Sequence, residues 1–132
     1  MPITMFYTGC LSLVLLSLAA KVISTRGTTG INVGDGGDER LIRVMRGQAN
    51  FIEYVPICLL MLGALELSGL GAVWLHVFGA ALLLGRLMHG YAFALSEHSP
   101  IGRLGGIVLT LSVLGFESLF CVSIAATELF LK

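Results

Sequence analysis

Apolar residues run through this chain in four blocks, roughly 3–25, 41–66, 71–95 and 104–127, separated by short stretches rich in glycine and polar residues. Each block exceeds the ~20 residues that a helix rising about 1.5 Å per residue needs to cross about 30 Å of hydrocarbon. The pattern predicts an all-α integral membrane protein, a four-transmembrane-helix bundle forming one domain over residues 1–132. The first linker, "RGTTGINVGDGGDER" (residues 26–40), is too rich in Gly, Thr and Asp to continue a helix and is expected as a polar loop, with Asp38 capping the second helix. A tight "LSGLGA" makes the second and third helices antiparallel neighbours, and "SEHSPIGRLGG" joins the third to the fourth. Lys21, Arg26, Arg40, Arg43 and Arg46 gather around the first linker and Arg103 lies in the third, against Lys132 alone at the C-terminus. The positive-inside rule therefore puts the first and third linkers in the cytoplasm and both termini on the other side.

Composition agrees with a bilayer as solvent: 56% of residues are hydrophobic, 12% are charged and the mean hydropathy is +0.93. The formal net charge of zero excludes nucleic acid as a partner, since phosphate binding needs a basic surplus. Cys10, Cys58 and Cys121 lie inside apolar runs without metal-ligand spacing and read as small buried hydrophobes, so no metal is expected. "FYTGCLSLVLLSLAA" has no positive segment before it and no small-residue cleavage site after it, and reads as a retained span.

The polar residues inside the second block change the picture from a bare bundle to a candidate site. In "RVMRGQANFIEYVP" (residues 43–56), Arg43, Arg46, Asn50, Glu53 and Tyr54 share an arc of roughly 100° on a helical wheel, while Gln48 points the opposite way. A charged group near the bilayer centre costs about 2.5–3.5 kcal/mol, so these side chains should face protein or water. One arrangement is mutual neutralisation, with Arg46 or Arg43 paired to Glu53 in a packing network; another is interfacial snorkelling, which suits Arg40 and Arg43 but not the deeper Glu53 and Asn50. Pro56 frees the carbonyl of Ile52 and is expected to kink the helix beside the stripe. In the third block, "GRLMHGYAF" (residues 85–93) places Arg86, His89 and Phe93 on one face, with Tyr91 off it, at a depth where the two stripes can meet.

Arginines clamp carboxylates, a carboxylate accepts an ammonium, and amide and phenol groups fix orientation. An arginine-rich site also favours a thiolate over its thiol. Spacing alone gives a membrane site for a polar, largely anionic ligand; a zwitterionic peptide thiol meets every one of these demands.

The motif carries more than spacing. "RVMRGQANFIEYVP" resembles the signature of the MAPEG superfamily, the membrane-associated proteins in eicosanoid and glutathione metabolism: Arg, any residue, Gln or His, any, Asn, two residues, Glu, two residues, Pro. "KVISTR" (21–26) resembles the end of the first helix in the leukotriene C4 synthase branch, "GRLMHGYAF" resembles the third helix, and "GDGGDERL" is similar to the loop of short bacterial members, so that the chain resembles a short bacterial relative of microsomal glutathione transferase and leukotriene C4 synthase. The resemblance covers nearly the whole chain. It implies a homotrimer of four-helix protomers in the bacterial inner membrane, with glutathione bound as co-substrate between adjacent subunits. It further implies that Arg46, Asn50, Glu53 and Tyr54, joined by Arg86 and His89, hold glutathione, while Arg26 and Gln48 reach the neighbouring subunit's site.

The chain departs from the eukaryotic synthases at Gly27, where they carry a second arginine, and at Phe93, where they carry a tyrosine. Arg103 is the arginine that matches the thiolate-activating one, with His98 as runner-up in the same linker. Glu117, in "GFESLF", is expected to be protonated or hydrogen-bonded to Ser112 or Ser118; Glu66 is expected to be interfacial.

Two functions follow from the resemblance. One is a glutathione transferase, with peroxidase activity, acting in detoxification on lipophilic small molecules that enter from the membrane lipid. The other is a non-catalytic membrane lipid- or glutathione-binding protein, which the departures at Gly27 and Phe93 favour and the retained stripe disfavours. A transporter or channel would line several helices with polar groups, and the fourth block offers only Glu117 and scattered serines.

Overall fold

The computed structural model describes residues 1–94 and 99–130. It consists of four helices, α1 (Pro2–Thr29), α2 (Glu39–Leu67), α3 (Ala72–Ala94) and α4 (Pro100–Phe130), all long and apolar enough to cross a membrane. The central pair is α2 and α3; α1 packs on one side of it and α4 on the other, without contact between α1 and α4. Buried positions on α2 recur three or four residues apart, at Leu41, Val44, Gly47, Phe51, Val55, Cys58, Leu62 and Leu65, which is one face of a helix turned to the core. Tyr7 and Leu11 from α1, Phe78 and Leu82 from α3 and Val113 from α4 complete it. The outer faces carry equally large apolar side chains, among them Leu13, Leu16, Leu60, Val73, Leu119 and Val122. Helices that are apolar on their outer faces as well as their inner ones suit lipid as the surrounding medium.

Side chains cap the starts of α1, α2 and α4. Asp38 caps α2 as expected, its Oδ1 accepting from the Leu41 amide at 2.8 Å. Met1 offers α1 no side-chain cap, and Glu66 from the last turn of α2 supplies it: the carboxylate accepts from the Ile3 amide (3.1 Å), the Thr4 amide (2.8 Å) and the Thr4 hydroxyl (2.6 Å). Glu66 is thus a cross-helix cap for the positive end of α1, more than the interfacial residue that the sequence suggests.

Three boundaries differ from expectation. The first helix continues to Thr29 instead of ending near residue 25, because the Thr28 and Thr29 hydroxyls bond back to the Thr25 carbonyl and Gly30, at φ 71°, makes the stop with its amide on the Arg26 carbonyl. The residues "RGTT" are therefore helix and not loop. The fourth helix begins at Pro100, not at 104, since proline is at home in a first turn and the Ser99 hydroxyl accepts from the Gly102 amide at 3.3 Å. Arg103 consequently stands in the first turn of α4 and not in a linker; α4 also runs on to Phe130, past the expected residue 127. His98 and Lys132 lie outside the described residues. The second helix continues through Pro56 without a break.

Glycines set how closely α3 and α4 approach. A Cβ on Gly106 would lie 2.6 Å from the Gly85 carbonyl oxygen and 2.8 Å from the His89 backbone nitrogen. Small residues that let backbones meet are a main source of helix association in lipid. Gly106→Ala should cost about 1–3 kcal/mol, the usual range for overpacking, and lower the unfolding temperature in detergent. Gly115→Ala on the same helix, where a Cβ meets nothing within 4 Å, should not.

Candidate functional site

Arg86 is the largest fully buried side chain among the described residues, 1% exposed, and its neighbours explain how α3 can hold a guanidinium in the bundle. Nη1 donates to the Asn50 side-chain oxygen at 3.0 Å and lies 3.4 Å from the Asn50 carbonyl; Nη2 donates to the Thr110 hydroxyl. That hydroxyl in turn donates to the Gly106 carbonyl at 2.9 Å. One arginine thereby ties α3 to α2 and to α4. The arrangement depends on the glycine contact just described, because only a close α3–α4 approach brings Thr110 within reach. Nε has no partner among the described residues.

In front of Arg86, between α2, α3 and α4, lies a cleft of about 230 Å³ lined by Arg46, Asn50, His89, Phe93, Arg103 and Ile107. Phe93 is its floor. The ring sits where a Cβ on Gly47 would come within 2.7 Å of the Phe93 Cβ, stacks on the buried His89 imidazole at 4.6 Å between centroids, and carries the Arg103 guanidinium 5.6 Å above its centre. The Phe93 ring thus contacts both the imidazole and the guanidinium, and the cation–π contact, worth about 0.5–1 kcal/mol when exposed, helps to hold Arg103 beside the cleft. Among the described residues the cleft walls carry Arg46 and Arg103 and no carboxylate, an arrangement that attracts anions.

The structure brings together Arg46, Asn50, His89 and Arg103, and sets Arg86 behind them as the group that holds Asn50. Glu53, one turn beyond Asn50 on the same stripe, is exposed; Tyr54 is half-buried and neither lines the cleft. Arg46 and Glu53 are not paired: neither side chain has an ion-pair or hydrogen-bond partner among the described residues, so the mutual neutralisation weighed from the sequence is not formed between them. Asn50, the expected bridge to Glu53, is engaged by Arg86 instead. Gln48 is half-buried and lines none of this cleft. Arg26 folds over its own loop, donating to the Ile31 carbonyl (3.1 Å), the Gly34 carbonyl (2.8 Å) and the Met45 sulfur (3.4 Å).

Thr110, Ile107 and Gly47 were not marked by the sequence reading as site residues. A detectable signal existed in "GGIVLT": a small residue at Gly106 followed one turn later by a hydroxyl, the pattern of a close helix contact with hydrogen-bonding capacity. Glu117 is fully buried, with neither carboxyl oxygen hydrogen-bonded among the described residues. The expected bond to Ser112 or Ser118 is not made, because the Ser118 hydroxyl donates to its own helix at the Leu114 carbonyl, 2.7 Å away. The three cysteines are free, and no group of His, Cys, Asp and Glu among the described residues is placed to hold a metal ion.

Thr110→Val keeps the shape and removes the acceptor from a buried guanidinium. The expected loss is about 1–3 kcal/mol, the penalty for an unsatisfied buried donor, read as thermal unfolding in detergent; Thr110→Ser should retain most of the stability.

Comparison with known protein families matches residues 4–123 to the MAPEG family. The chain is 32% identical over 91 residues to the inner membrane protein YecN of Escherichia coli K12, covering 69% of this chain and 70% of that protein, and equally similar to YecN of Escherichia coli O6:H1. No solved structure matches it. The match spans all four helices, including the arginine–asparagine–glutamate stripe and the third-helix arginine and histidine around which the cleft is built, and the chain belongs to the MAPEG family.

Proposed function

We propose that the protein is a membrane-bound glutathione transferase with peroxidase capacity, active as a homotrimer whose glutathione sites lie between subunits. The observation that carries this proposal is the state of the α2 stripe. Arg46 and Glu53 are exposed on a membrane-spanning helix, about 10 Å apart along its axis, and have no partner among the described residues. Unpaired charges facing lipid are costly. A zwitterionic ligand enclosed by a neighbouring protomer relieves both at once, carboxylate on arginine and ammonium on glutamate.

In this scheme Arg46, Asn50 and His89 hold the tripeptide from the cleft, with Arg86 fixing Asn50; Glu53 and Tyr54 extend the contact along the stripe. Gln48 reaches the site of the adjacent subunit, and Arg26 contributes there from the loop that its guanidinium organises. Arg103, aimed by Phe93, stabilises the thiolate. The thiolate sulfur attacks an electrophilic carbon and expels its leaving group. With a hydroperoxide, two glutathione molecules become one disulfide while the peroxide becomes an alcohol and water. The lipophilic partner enters from the bilayer. The arginine-rich loop side lies in the cytoplasm, where thiols stay reduced, and the membrane is the bacterial inner membrane, as named for the YecN relatives. A non-catalytic lipid- or glutathione-binding protein is the second reading, favoured by Gly27 and Phe93.

Calorimetry in detergent should show binding of glutathione and of its S-alkyl analogue, weakened roughly 10- to 100-fold in Arg46→Ala or Glu53→Ala, as for loss of a charge-assisted hydrogen bond. Absence of binding by the wild type contradicts the proposal. Turnover with a chlorodinitrobenzene-type acceptor or a lipid hydroperoxide should fall mainly in kcat for Arg103→Ala; binding without any turnover supports the second reading. Phe93→Leu, which removes the cation–π contact but not the apolar floor, should reduce the ultraviolet thiolate signal of bound glutathione by up to about fivefold while leaving binding of the S-alkyl analogue nearly unchanged.

A further inference from the structure

A larger groove, about 410 Å³, runs between α1 and α3 and shares no residue with the cleft. Its long walls are apolar, with Val14 and Leu18 on α1 and Leu87 on α3, and Gly90 and Ala94 leave the space open; a Cβ on Gly90 would only touch Leu18, at 3.5 Å. One end is different. Lys21 lines it and is half-buried, Tyr91 brings a phenol from α3, and no carboxylate lines the groove among the described residues. The ammonium of Lys21 has no ion-pair partner among the described residues.

Because α1 and α3 run in the same direction, Lys21 and Tyr91 stand at the same end of the bundle, the end that also carries Arg26, Arg40 and Arg103. Val14 and Leu87 lead from there toward the bundle's middle. The groove is therefore polarised as a lipid is: a cation and a hydroxyl at headgroup level, followed by a hydrocarbon-lined slot. Basic pockets between transmembrane helices are suited to anionic headgroups, and a lysine whose stem lies along apolar surface presents its charge at that level.

We propose that the α1–α3 groove binds an anionic phospholipid of the leaflet on the loop side, its phosphate at Lys21 and Tyr91 and an acyl chain along Val14, Leu18 and Leu87. The proposal is independent of any reaction at the cleft. A zwitterionic lipid with the same chains fills the slot equally well but gains less from the lysine, so charge is the property to vary.

The full chain, purified in an uncharged detergent, is offered phosphatidylglycerol or phosphatidylcholine with identical acyl chains, and retained lipid is counted by native mass spectrometry. Wild type should prefer phosphatidylglycerol by about fivefold, the size expected for one basic residue at an anionic headgroup. Lys21→Gln should bring the ratio close to one, Lys21→Arg should restore it, and Arg40→Gln, an exposed cation outside the groove, should leave it intact. Equal retention of the two lipids by wild type overturns the proposal. So does a preference that survives Lys21→Gln or falls as far in Arg40→Gln, and so does a failure to retain lipid, the outcome expected if a second protomer covers the groove.

Discussion

A guanidinium held inside an apolar bundle is the constraint from which the rest of this structure follows. Arg86 is surrounded by helices, and its two terminal nitrogens are answered from within the protein. Asn50 answers from α2 and Thr110 from α4, and Thr110 reaches it only because glycines at 85 and 106 let two backbones nearly touch. A packing feature of the kind that stabilises many membrane helices here also positions a polar group. The same side chain that closes the bundle orients Asn50 at the back of the cleft, so stability and site geometry are coupled through one residue.

The polar groups in front of Arg86 are in the opposite condition. His89 and Arg103 contact the Phe93 ring, but Arg46 and Glu53 project from α2 without partners among the described residues. Within one protein, then, one arginine is fully enclosed by its own chain and another is left for something else to meet. That contrast separates a structural polar network from charged groups that the described residues leave unpaired. It also explains why Arg46 and Glu53 do not neutralise each other: Asn50 is already committed to Arg86, and residues seven apart on a helix stand too far apart for a direct pair.

Much of the fold was legible in the sequence because a bilayer imposes few choices. Four apolar blocks, the Asp38 cap and the tight turn before α3 needed only hydropathy and local chemistry, and the MAPEG motif on α2 identified the family on its residues alone. The boundaries that moved did so for reasons of side-chain chemistry that a hydropathy pattern does not register: threonine hydroxyls bonding back extend α1 through "RGTT", and Ser99 with Pro100 starts α4 early, carrying Arg103 into a helix. Of the candidate site, the stripe and the third-helix histidine could be placed by periodicity. Thr110, Glu66 as a cap for α1 and the Phe93 stack could not, since each depends on how two helices meet rather than on how one is patterned.

Whether the unpaired stripe on one protomer and Gln48 on the next build a common site is tested most directly by mixing two defective subunits. Glu53→Ala and Gln48→Ala chains, each expected to bind glutathione weakly on its own, are co-expressed with different tags, and the mixed assemblies are isolated and titrated with glutathione. If the two residues meet across a subunit boundary, some sites in the mixed assembly contain both intact side chains, and binding returns at a fraction of the wild-type stoichiometry. Mixed assemblies that bind no better than either parent would mean that each site is completed within a single chain, and the intersubunit account would be wrong.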